Sequence, residues 1–402
     1  SRGWINSLRI APDASGRLLL IASSFDKAAH VWDLESGEVV RSFTGHASPL
    51  YDAVLLPDAR TIATVGESVM RDWELEPLRC FTRTPAPGTV FDAVFTPDGR
   101  SLLTSNADGD FTVRVFDLES SRPTRVLLGH ENAVSGLALD AERGMVYSVS
   151  YDGTLRVWPL EGDPSSRILT RLDDPSLGLN TVAIAPDGLT IAVGGDDGYC
   201  RLFTPDGALI RAYSFGDGVR RVPSLSFSPD GGRLAVAGGP NEIVLLDPRT
   251  GEITRTPAHR QSIRVVRFDP TGKRLASAGD DRLVKLWSIQ PGSAPRVVHT
   301  LRGHENDVFT LAFHPAGKVL ASAGRSGVVK LWSVESGACL LTIRPHSDMV
   351  FTIAFSPDGR TLVSAGRDGS IVRTDLGYYD KHISGNEAFQ RELRFTRVTN
   401  RR

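Results

Sequence analysis

The feature that most constrains this 402-residue chain is a phrase that recurs nine times: an apolar strand ending near a proline, a tight turn, and a second apolar strand. Successive copies lie 40 to 45 residues apart. The nine copies are Ala11-Pro12-Asp13, Leu56-Pro57-Asp58, Thr96-Pro97-Asp98-Gly99, Asp140-Ala141-Glu142, Ala185-Pro186-Asp187-Gly188, Ser228-Pro229-Asp230-Gly231, Asp269-Pro270-Thr271-Gly272, His314-Pro315-Ala316-Gly317 and Ser356-Pro357-Asp358-Gly359. A period of this length indicates stacked supersecondary units, and such an array is one domain however long it grows. We therefore predict one repeat domain over residues 1–376 and a separate tail over residues 377–402.

One copy of the repeat, from Asp307 to Pro345, shows what each unit contains. Four short runs alternate apolar and polar residues, and Ser326-Gly327 and Glu335-Ser336-Gly337 provide the turns between the later ones. The predicted strands are 308–315, 319–323, 328–332 and 339–343. This pattern is typical of an antiparallel meander. A four-stranded sheet with two apolar faces buries both by packing against like sheets around an axis. We predict an all-β fold, a single toroidal propeller of four-stranded antiparallel blades.

The bulk composition argues against several classes of function. The formal net charge is -1, so the chain has no overall basic field for nucleic acid or anionic lipid. Cys80, Cys200 and Cys339 are far apart in sequence, which predicts neither a disulfide framework nor a zinc site and suits a reducing compartment. No apolar stretch approaches the ~20 residues of a membrane span. We expect a cytoplasmic protein without a nucleic-acid or membrane partner. Because it lacks an initiator methionine, we expect a piece of a longer protein.

Dipeptides at fixed places in the repeats identify a family resemblance. Gly-His pairs precede first strands, Trp-Asp or a similar pair ends third strands, and Asp-Gly pairs occupy the turn before the third strand. They are Gly45-His46, Gly129-His130 and Gly303-His304; Trp32-Asp33, Phe116-Asp117, Leu246-Asp247, Trp287-Ser288 and Trp332-Ser333; and Asp108-Gly109, Asp152-Gly153, Asp197-Gly198 and Asp368-Gly369. The chain resembles the WD40 β-propeller family over residues 1 to about 376.

The number of repeats and the closure of the ring are separate expectations. All nine units contain a run that could form a fourth strand, such as 39–43 and 78–81, so we predict nine blades in one ring, or eight with one unit displaced. The first strand begins almost at residue 1, which leaves no earlier strand to complete the last blade. We therefore expect the tail to supply it, with Phe395 to Thr399 as the candidate and a short helix around Phe389 and Leu393.

Serine, histidine, aspartate and tryptophan recur together in two repeats, which raises the question of catalysis. The two sets are His130, Ser148, Asp152 and Trp158, and His259, Ser277, Asp281 and Trp287. Such a triad normally activates a nucleophile, but a real active site is not copied around a ring. The family resemblance implies a structural relay instead, from the turn Asp to His, Ser and the indole N–H. The relay is incomplete in two other repeats, where Ser326 replaces the Asp and Thr374 replaces the Trp. We predict no catalytic residue.

Metal and cofactor sites have little support in the sequence. The carboxylate pairs Asp196-Asp197 and Asp280-Asp281 could suggest calcium, but Ca²⁺ requires six to eight converging oxygens. No glycine-rich phosphate loop follows a strand and opens a helix. We therefore expect neither a metal nor a cofactor.

The resemblance also implies where partners bind. In WD40 proteins, contacts concentrate beside the first apolar residue of each first strand and at the residue before the relay Asp. Carried onto this sequence, these positions include the turn residue Tyr151. The predicted face consists of the aromatic, methionine and arginine residues at these positions in consecutive blades around the ring closure, namely Trp4, Phe25, Tyr51, Phe91, Phe309, Arg325, Met349, Phe351 and Arg367. Exposed aromatics rimmed by arginine are typical of interaction hot spots. The opposite arc, with Asn180, Asp196, Arg221, Arg264 and Asp280, is polar and expected to be quieter.

These observations predict a non-catalytic scaffold that binds protein or peptide partners on one face of the propeller. We expect it to be monomeric in isolation and to form part of a larger bacterial signalling or regulatory protein. The alternative is a propeller enzyme or small-molecule binder that uses the channel mouth. Such a site should break the repeat with unusual converging polar residues.

Overall fold

The computed structural model describes residues 4–12, 18–37, 39–44, 49–56, 61–66, 70–74, 81–86, 88–174, 176–216, 219–238, 241–290 and 292–376. All regular structure in these residues is β-strand. No helix in this part of the chain is long and apolar enough to cross a membrane. The chain divides into two compact units, Ser1–Arg79 and Cys80–Arg402. Below they are the first and second units.

The first unit contains two sheets. One is four-stranded in chain order and comprises β1 (Ile5–Pro12), β2 (Leu18–Ser24), β3 (Ala28–Asp33) and β4 (Val39–Thr44). The other has three strands within the described residues, namely β5 (Leu50–Leu55), β6 (Thr61–Gly66) and β7 (Met70–Glu74). The core between them packs Leu19, Ile21 and Val31 of the first sheet against Leu50 and Ile62 of the second.

The second unit begins with β8 (Phe81–Pro85) and then forms seven four-stranded antiparallel sheets. Six of them use consecutive strands. They are β9 (Val90–Phe95), β10 (Ser101–Asn106), β11 (Val113–Asp117) and β12 (Arg122–Leu127); β13 (Val134–Asp140), β14 (Met145–Ser150), β15 (Thr154–Pro159) and β16 (Arg167–Arg171); β17 (Leu179–Ile184), β18 (Ile191–Gly195), β19 (Tyr199–Phe203) and β20 (Leu209–Ser214); β21 (Ser224–Phe227), β22 (Leu234–Ala237), β23 (Glu242–Leu246) and β24 (Ile253–Pro257); β25 (Ile263–Phe268), β26 (Arg274–Gly279), β27 (Val284–Ser288) and β28 (Arg296–Leu301); and β29 (Val308–Phe313), β30 (Val319–Gly324), β31 (Val329–Ser333) and β32 (Cys339–Ile343).

The seventh sheet joins β33 (Val350–Phe355), β34 (Thr361–Gly366) and β35 (Ser370–Asp375) to β8. Strand β8 pairs antiparallel with β35, with Thr84 opposite Ile371 and Thr82 opposite Arg373. The expectation that the tail closes the last blade is therefore wrong, because a strand from the start of the unit already occupies that edge. Of the predicted fourth strand of the second repeat, 78–81, only Phe81 lies within the described residues, and it belongs to β8, which pairs with β35. The candidate strand 395–399 and the helix around Phe389 and Leu393 lie outside the described residues.

The seven sheets of the second unit close a ring on themselves. The first strand of each sheet packs against the first strand of the next, and β9 contacts both β13 and β33. Asp92 of β9 links the sheets on either side of it. Its carboxylate accepts hydrogen bonds from the Leu137 amide of β13 at 2.9 Å and from the Thr352 hydroxyl of β33 at 3.3 Å. The predictions of nine blades in one ring, or of eight, are corrected to seven. The sequence period gives the number of repeats, but it does not indicate which strands pair where the ring closes.

Small residues allow the sheets to approach one another. Strand β30 presents Ala321 and Ala323 to its neighbour, both fully buried. At Gly324, which ends β30, an added Cβ would lie 2.0 Å from the Asp307 carbonyl oxygen, so the backbone approach excludes any larger residue. The turn glycines Gly327 and Gly337 both have φ of +71°, a conformation that favours glycine. The predicted strands of this repeat agree with β30–β32 to within one residue, and the all-β propeller fold is confirmed.

Candidate binding face and buried relays

The relay predicted around His130 is one continuous hydrogen-bonded chain. The Trp158 indole N–H donates to Ser148 Oγ at 2.8 Å, and Ser148 Oγ lies 2.7 Å from His130 Nε2. His130 Nδ1 lies 2.8 Å from Asp152 Oδ2. This arrangement assigns the proton to Nδ1, because the carboxylate accepts there and the serine hydroxyl donates to Nε2. Ser148 is fully buried beneath the indole, so its hydroxyl has no access to a substrate.

The second relay repeats this geometry, and two further sheets contain parts of it. His259 lies 2.7 Å from Ser277 Oγ and 2.9 Å from the Asp281 carboxylate, and Trp287 donates to Ser277 at 2.8 Å. His304 reaches Ser322 at 2.7 Å, and Trp332 donates to that serine. Ser326 stands where the carboxylate would be. His346 contacts Ser364 and Asp368, but Thr374 replaces the tryptophan, and its hydroxyl is buried without a hydrogen-bond partner.

Burial and the presence of a carboxylate control the relay pKa values. Burial lowers the pKa of His130 and of His259 despite the opposing hydrogen bonds from Asp152 and Asp281. His304 has no such carboxylate, and burial together with the nearby Lys330 ammonium lowers its pKa to about 4. Although burial opposes it, the hydrogen bonds from His130 and Thr154 hold the pKa of Asp152 well below its usual range. These three histidines are therefore neutral and the Asp152 carboxylate is charged near neutral pH.

Restoring the missing carboxylate with Ser326→Asp is expected to stabilise the second unit by about 1 kcal/mol at pH 7, because hydrogen bonds to charged groups contribute more than neutral ones. It should also change the pH dependence. The unfolded His304 protonates near pH 6.5 and the folded one only near pH 4, so its contribution to stability is lost as pH falls through that window. A carboxylate at position 326 raises the folded pKa and flattens this loss. Urea denaturation at pH 7 and pH 5, with an NMR titration of His304, measures both effects; an unchanged His304 pKa would contradict the assignment.

Four half-buried aromatic side chains of the ring form a contiguous cluster. Phe309 stacks on Phe351 with ring centroids 5.8 Å apart, Phe351 lies 5.0 Å from Phe91, and Phe91 meets the Tyr151 ring edge-on at 6.2 Å. We call Phe91, Tyr151, Phe309 and Phe351 the aromatic cluster. It spans four neighbouring sheets and crosses the ring closure between β33 and β9.

β-bulges aim three of these rings. In β9, β29 and β33 the register with the second strand shifts so that Phe91, Phe309 and Phe351 have no residue opposite. A bulge leaves its extra residue unpaired and redirects its side chain. Tyr151 comes from the turn between β14 and β15, immediately before the relay residue Asp152. Tyr151 is one of the turn positions implied by the family resemblance, but the predicted face does not include it. Its place directly before the relay residue Asp152 is the sequence feature that indicates its position on the face.

Charged side chains continue from both ends of the aromatic cluster. The Arg325 guanidinium lies 5.8 Å from the Phe309 ring centroid and bonds Asp307 at 2.8 Å. At the other end, Arg221 donates to the Tyr151 hydroxyl at 3.0 Å and to Asn180 at 2.9 Å. The arc predicted to be quieter is thus internally paired. Arg264 adds to it with two bonds to Asp280, at 2.7 and 2.8 Å.

The remaining predicted face residues are distributed over both units. Exposed Arg367 and half-buried Met349 belong to the seventh sheet of the ring, and Arg367 lies 3.9 Å from Asp348. Trp4, Phe25 and Tyr51 belong to the first unit and are exposed. The prediction grouped all nine residues around one ring closure. Only Phe91, Phe309, Phe351, Arg325, Met349 and Arg367 share the second unit.

A central channel of about 700 Å³ is lined by the first strands of all seven sheets. Its lining is mainly apolar and includes Phe91, Phe309 and Phe351 of the aromatic cluster. The charged lining residues are Asp92, Arg264, Arg267 and Asp269. Arg267 donates to Ser224 Oγ at 2.9 Å and to the Val266 carbonyl at 3.0 Å. Burial raises the pKa of Asp92 and lowers that of Arg267. Among the residues that the structure describes, no three His, Cys, Asp or Glu side chains are grouped to hold a metal ion.

Comparison with known proteins agrees with this architecture. The family model of the WD domain, G-beta repeat, matches residues 76–117, 121–159, 166–204, 251–288, 295–333 and 337–372, together more than half of the chain. The chain belongs to the WD40 family. Each WD40 match begins before the outermost strand of one sheet and continues into the next; the first runs from before β8 into β11. The same arrangement occurs at the ring closure, where β8, the first strand of the first match, is the outermost strand of the seventh sheet.

Curated relatives of this WD40 chain have varied roles. The fission yeast protein named target of rapamycin complex subunit wat1 is 24% identical over 68% of this chain and 75% of its own length. The bovine transducin beta-like protein 3 is 24% identical over 76% of the chain and 39% of its own length. The Chlamydomonas reinhardtii cilia- and flagella-associated protein 52 is 25% identical over 58% of the chain and 38% of its own length. The chain thus spans about two fifths of the last two relatives.

Proposed function

We propose that this WD40 chain is a non-catalytic interaction module, and that the aromatic cluster is the centre of its binding face for a protein or peptide. The observation that carries this proposal is four touching, half-buried aromatic rings on four different sheets, flanked by Arg325 and Arg221. Rigid aromatic surface is the usual anchor of a protein interface, and paired charges at its margin form a polar rim. Relatives named as subunits of a complex support the same role.

The relays give no support to an enzymatic function. Their serine hydroxyls are fully buried and bonded to both the histidine and the indole, which matches a structural network. We also propose that the module is monomeric, lies in the cytoplasm and provides partner recognition within a larger signalling or regulatory protein.

Alanine substitution of Phe309 and Phe351 together is expected to weaken peptide binding at least tenfold, because it removes the stacked pair at the middle of the cluster. Peptides selected from a random displayed library against the wild-type chain would serve as ligands, with affinity measured by calorimetry. A tenfold loss corresponds to about 1.4 kcal/mol, a modest value for an aromatic hot spot.

The matched control is the double variant Leu189→Ala and Leu209→Ala, which removes exposed apolar surface elsewhere on the second unit. It should bind the selected peptides like wild type. If the variant lacking Phe309 and Phe351 also bound with wild-type affinity and melted normally, the cluster would not be the binding face.

A further inference from the structure

The first sheet of the chain has an apolar face that no described residue covers. Ile5, the first apolar residue of β1, is 52% exposed, whereas the residues at the same register position in the other eight sheets, among them Leu50, Val90 and Val350, are at most 3% exposed. Leu8 is 57% exposed, and its counterparts, such as Ala53 and Ile353, are at most 7% exposed. The same side-chain chemistry is therefore buried in every sheet except this one.

Cross-strand pairing shows that the exposed residues share one face. Leu8 lies opposite Ala22, Ile10 opposite Leu20, and Pro12 opposite Leu18. Because side chains alternate along a strand, Leu8, Ile10 and Leu18 project to the same side of the sheet. Ile10 and Leu18 are also more than half exposed. We call this side, with Ile5, the open face. Contiguous apolar surface of this kind on a folded protein marks an interaction site.

The repeats themselves show what covers such a face. In the second unit, Val350, Ile353 and Leu362 pack against the middle-strand residues Ala321 and Leu331 of the sheet before them. Val308 and Leu311 pack in the same way against the sheet that precedes theirs. In the first unit, Leu50, Ala53 and Ile62 pack against Leu19, Ile21 and Val31. The occupant is always the Ala-, Val- and Leu-rich middle-strand face of another WD40 sheet.

The position of the occupant along the chain is equally regular. Each first strand from β13 to β33 packs against the sheet immediately before it in sequence, as does β5. The exception is β9, which is covered by the last sheet of its own closed ring. Within the described residues, every sheet of the seven-sheet ring therefore has its first-strand face covered by another sheet of the same ring.

We propose that the open face is the packing site of a further WD40 sheet contributed by polypeptide on the N-terminal side of Trp4. The first unit is then the C-terminal part of a second ring that precedes the seven-sheet ring. The occupant must offer small and branched apolar side chains, as Ala321, Ala323 and Leu331 do for the seventh sheet.

The substitution Leu8→Cys reports on this contact. It replaces an exposed side chain, so it should leave the fold intact. Maleimide labelling, located by mass spectrometry, would be compared between the 402-residue chain and the full-length product of its gene. Exposed Cys339 is an internal reference for full reactivity, and Cys200, whose burial raises its pKa to about 12, is one for protection. Ile353→Cys, at the same register in a covered sheet, is the matched control.

We expect labelling of the Leu8→Cys thiol to approach that of Cys339 in the 402-residue chain and to fall at least tenfold in the full-length protein, while Ile353→Cys is protected in both. Hydrogen exchange of β1 in the unsubstituted proteins should show the same difference. Equal labelling in both proteins overturns the proposal. So does a full-length protein with no repeat before Trp4, or protection in the 402-residue chain that rises with its concentration, which would identify a second copy as the occupant.

Discussion

A chain that begins at residue 88 is expected to be less stable by about 2.5–7.5 kcal/mol than one that begins at residue 80. The two differ by β8, the strand that pairs along β35 from Phe81 to Pro85 and completes the seventh sheet. Its loss removes about five backbone pairings, each contributing about 0.5–1.5 kcal/mol net. It also uncovers an edge strand beside the ring closure, and such edges promote aggregation.

Urea denaturation of the two shortened chains, with the 402-residue chain as reference, measures this difference. The chain from residue 80 retains the whole second unit and should unfold close to the reference transition of that unit. The chain from residue 88 should unfold at lower urea and associate at high concentration. Coincident transitions for the two shortened chains would mean that β8 does not close the ring in solution.

His259→Ala is expected to destabilise the second unit by about 3 kcal/mol. The substitution deletes both hydrogen bonds of the imidazole and leaves the Asp281 carboxylate, whose side chain is 6% exposed, without its histidine partner. Because His259 is neutral, its loss leaves a buried carboxylate without a hydrogen-bond donor, which costs about 1–3 kcal/mol and more for a charged group. The backbone amides of Arg260 and Leu283 still bind Asp281 and limit the loss to about 3 kcal/mol.

His304→Ala provides the matched comparison. It removes a histidine of equal burial that holds the same serine–tryptophan pair, but no carboxylate is stranded, since Ser326 occupies that position. We expect it to cost about 1–2 kcal/mol, the range for a buried polar group that loses one partner. Denaturation should be measured above pH 7, where both histidines are neutral. Equal losses of stability for the two variants would show that the Asp281 carboxylate left without its histidine does not add to the cost.

Much of the architecture could be predicted from local patterns. The strands of the repeat from Asp307, their turns and the relay members follow from period-two alternation and turn chemistry, which act over a few residues. The small residues Ala321 and Ala323 likewise indicate close sheet packing. These features depend on neighbours in the chain, so a single sequence records them.

The candidate face was only partly predictable. Phe91, Phe309 and Phe351 were identified from their register beside the first strands, and the structure brings them into contact. Trp4, Phe25 and Tyr51 satisfy the same register but lie in the other unit. Register specifies which edge of a sheet a residue occupies. Which sheets share a ring depends on contacts between residues far apart in sequence.

The sequence by itself determined that this chain is a WD40 array of four-stranded sheets and that its conspicuous His, Ser and Asp residues recur with the repeat. Only the tertiary structure decided that seven sheets close a ring, that β8 seals it, and that β1 is left with an open face. The physical reason is that every repeat presents nearly the same faces and edges. Identical units specify how neighbours pack, but closure depends on where the accumulated geometry brings the first strand against the last.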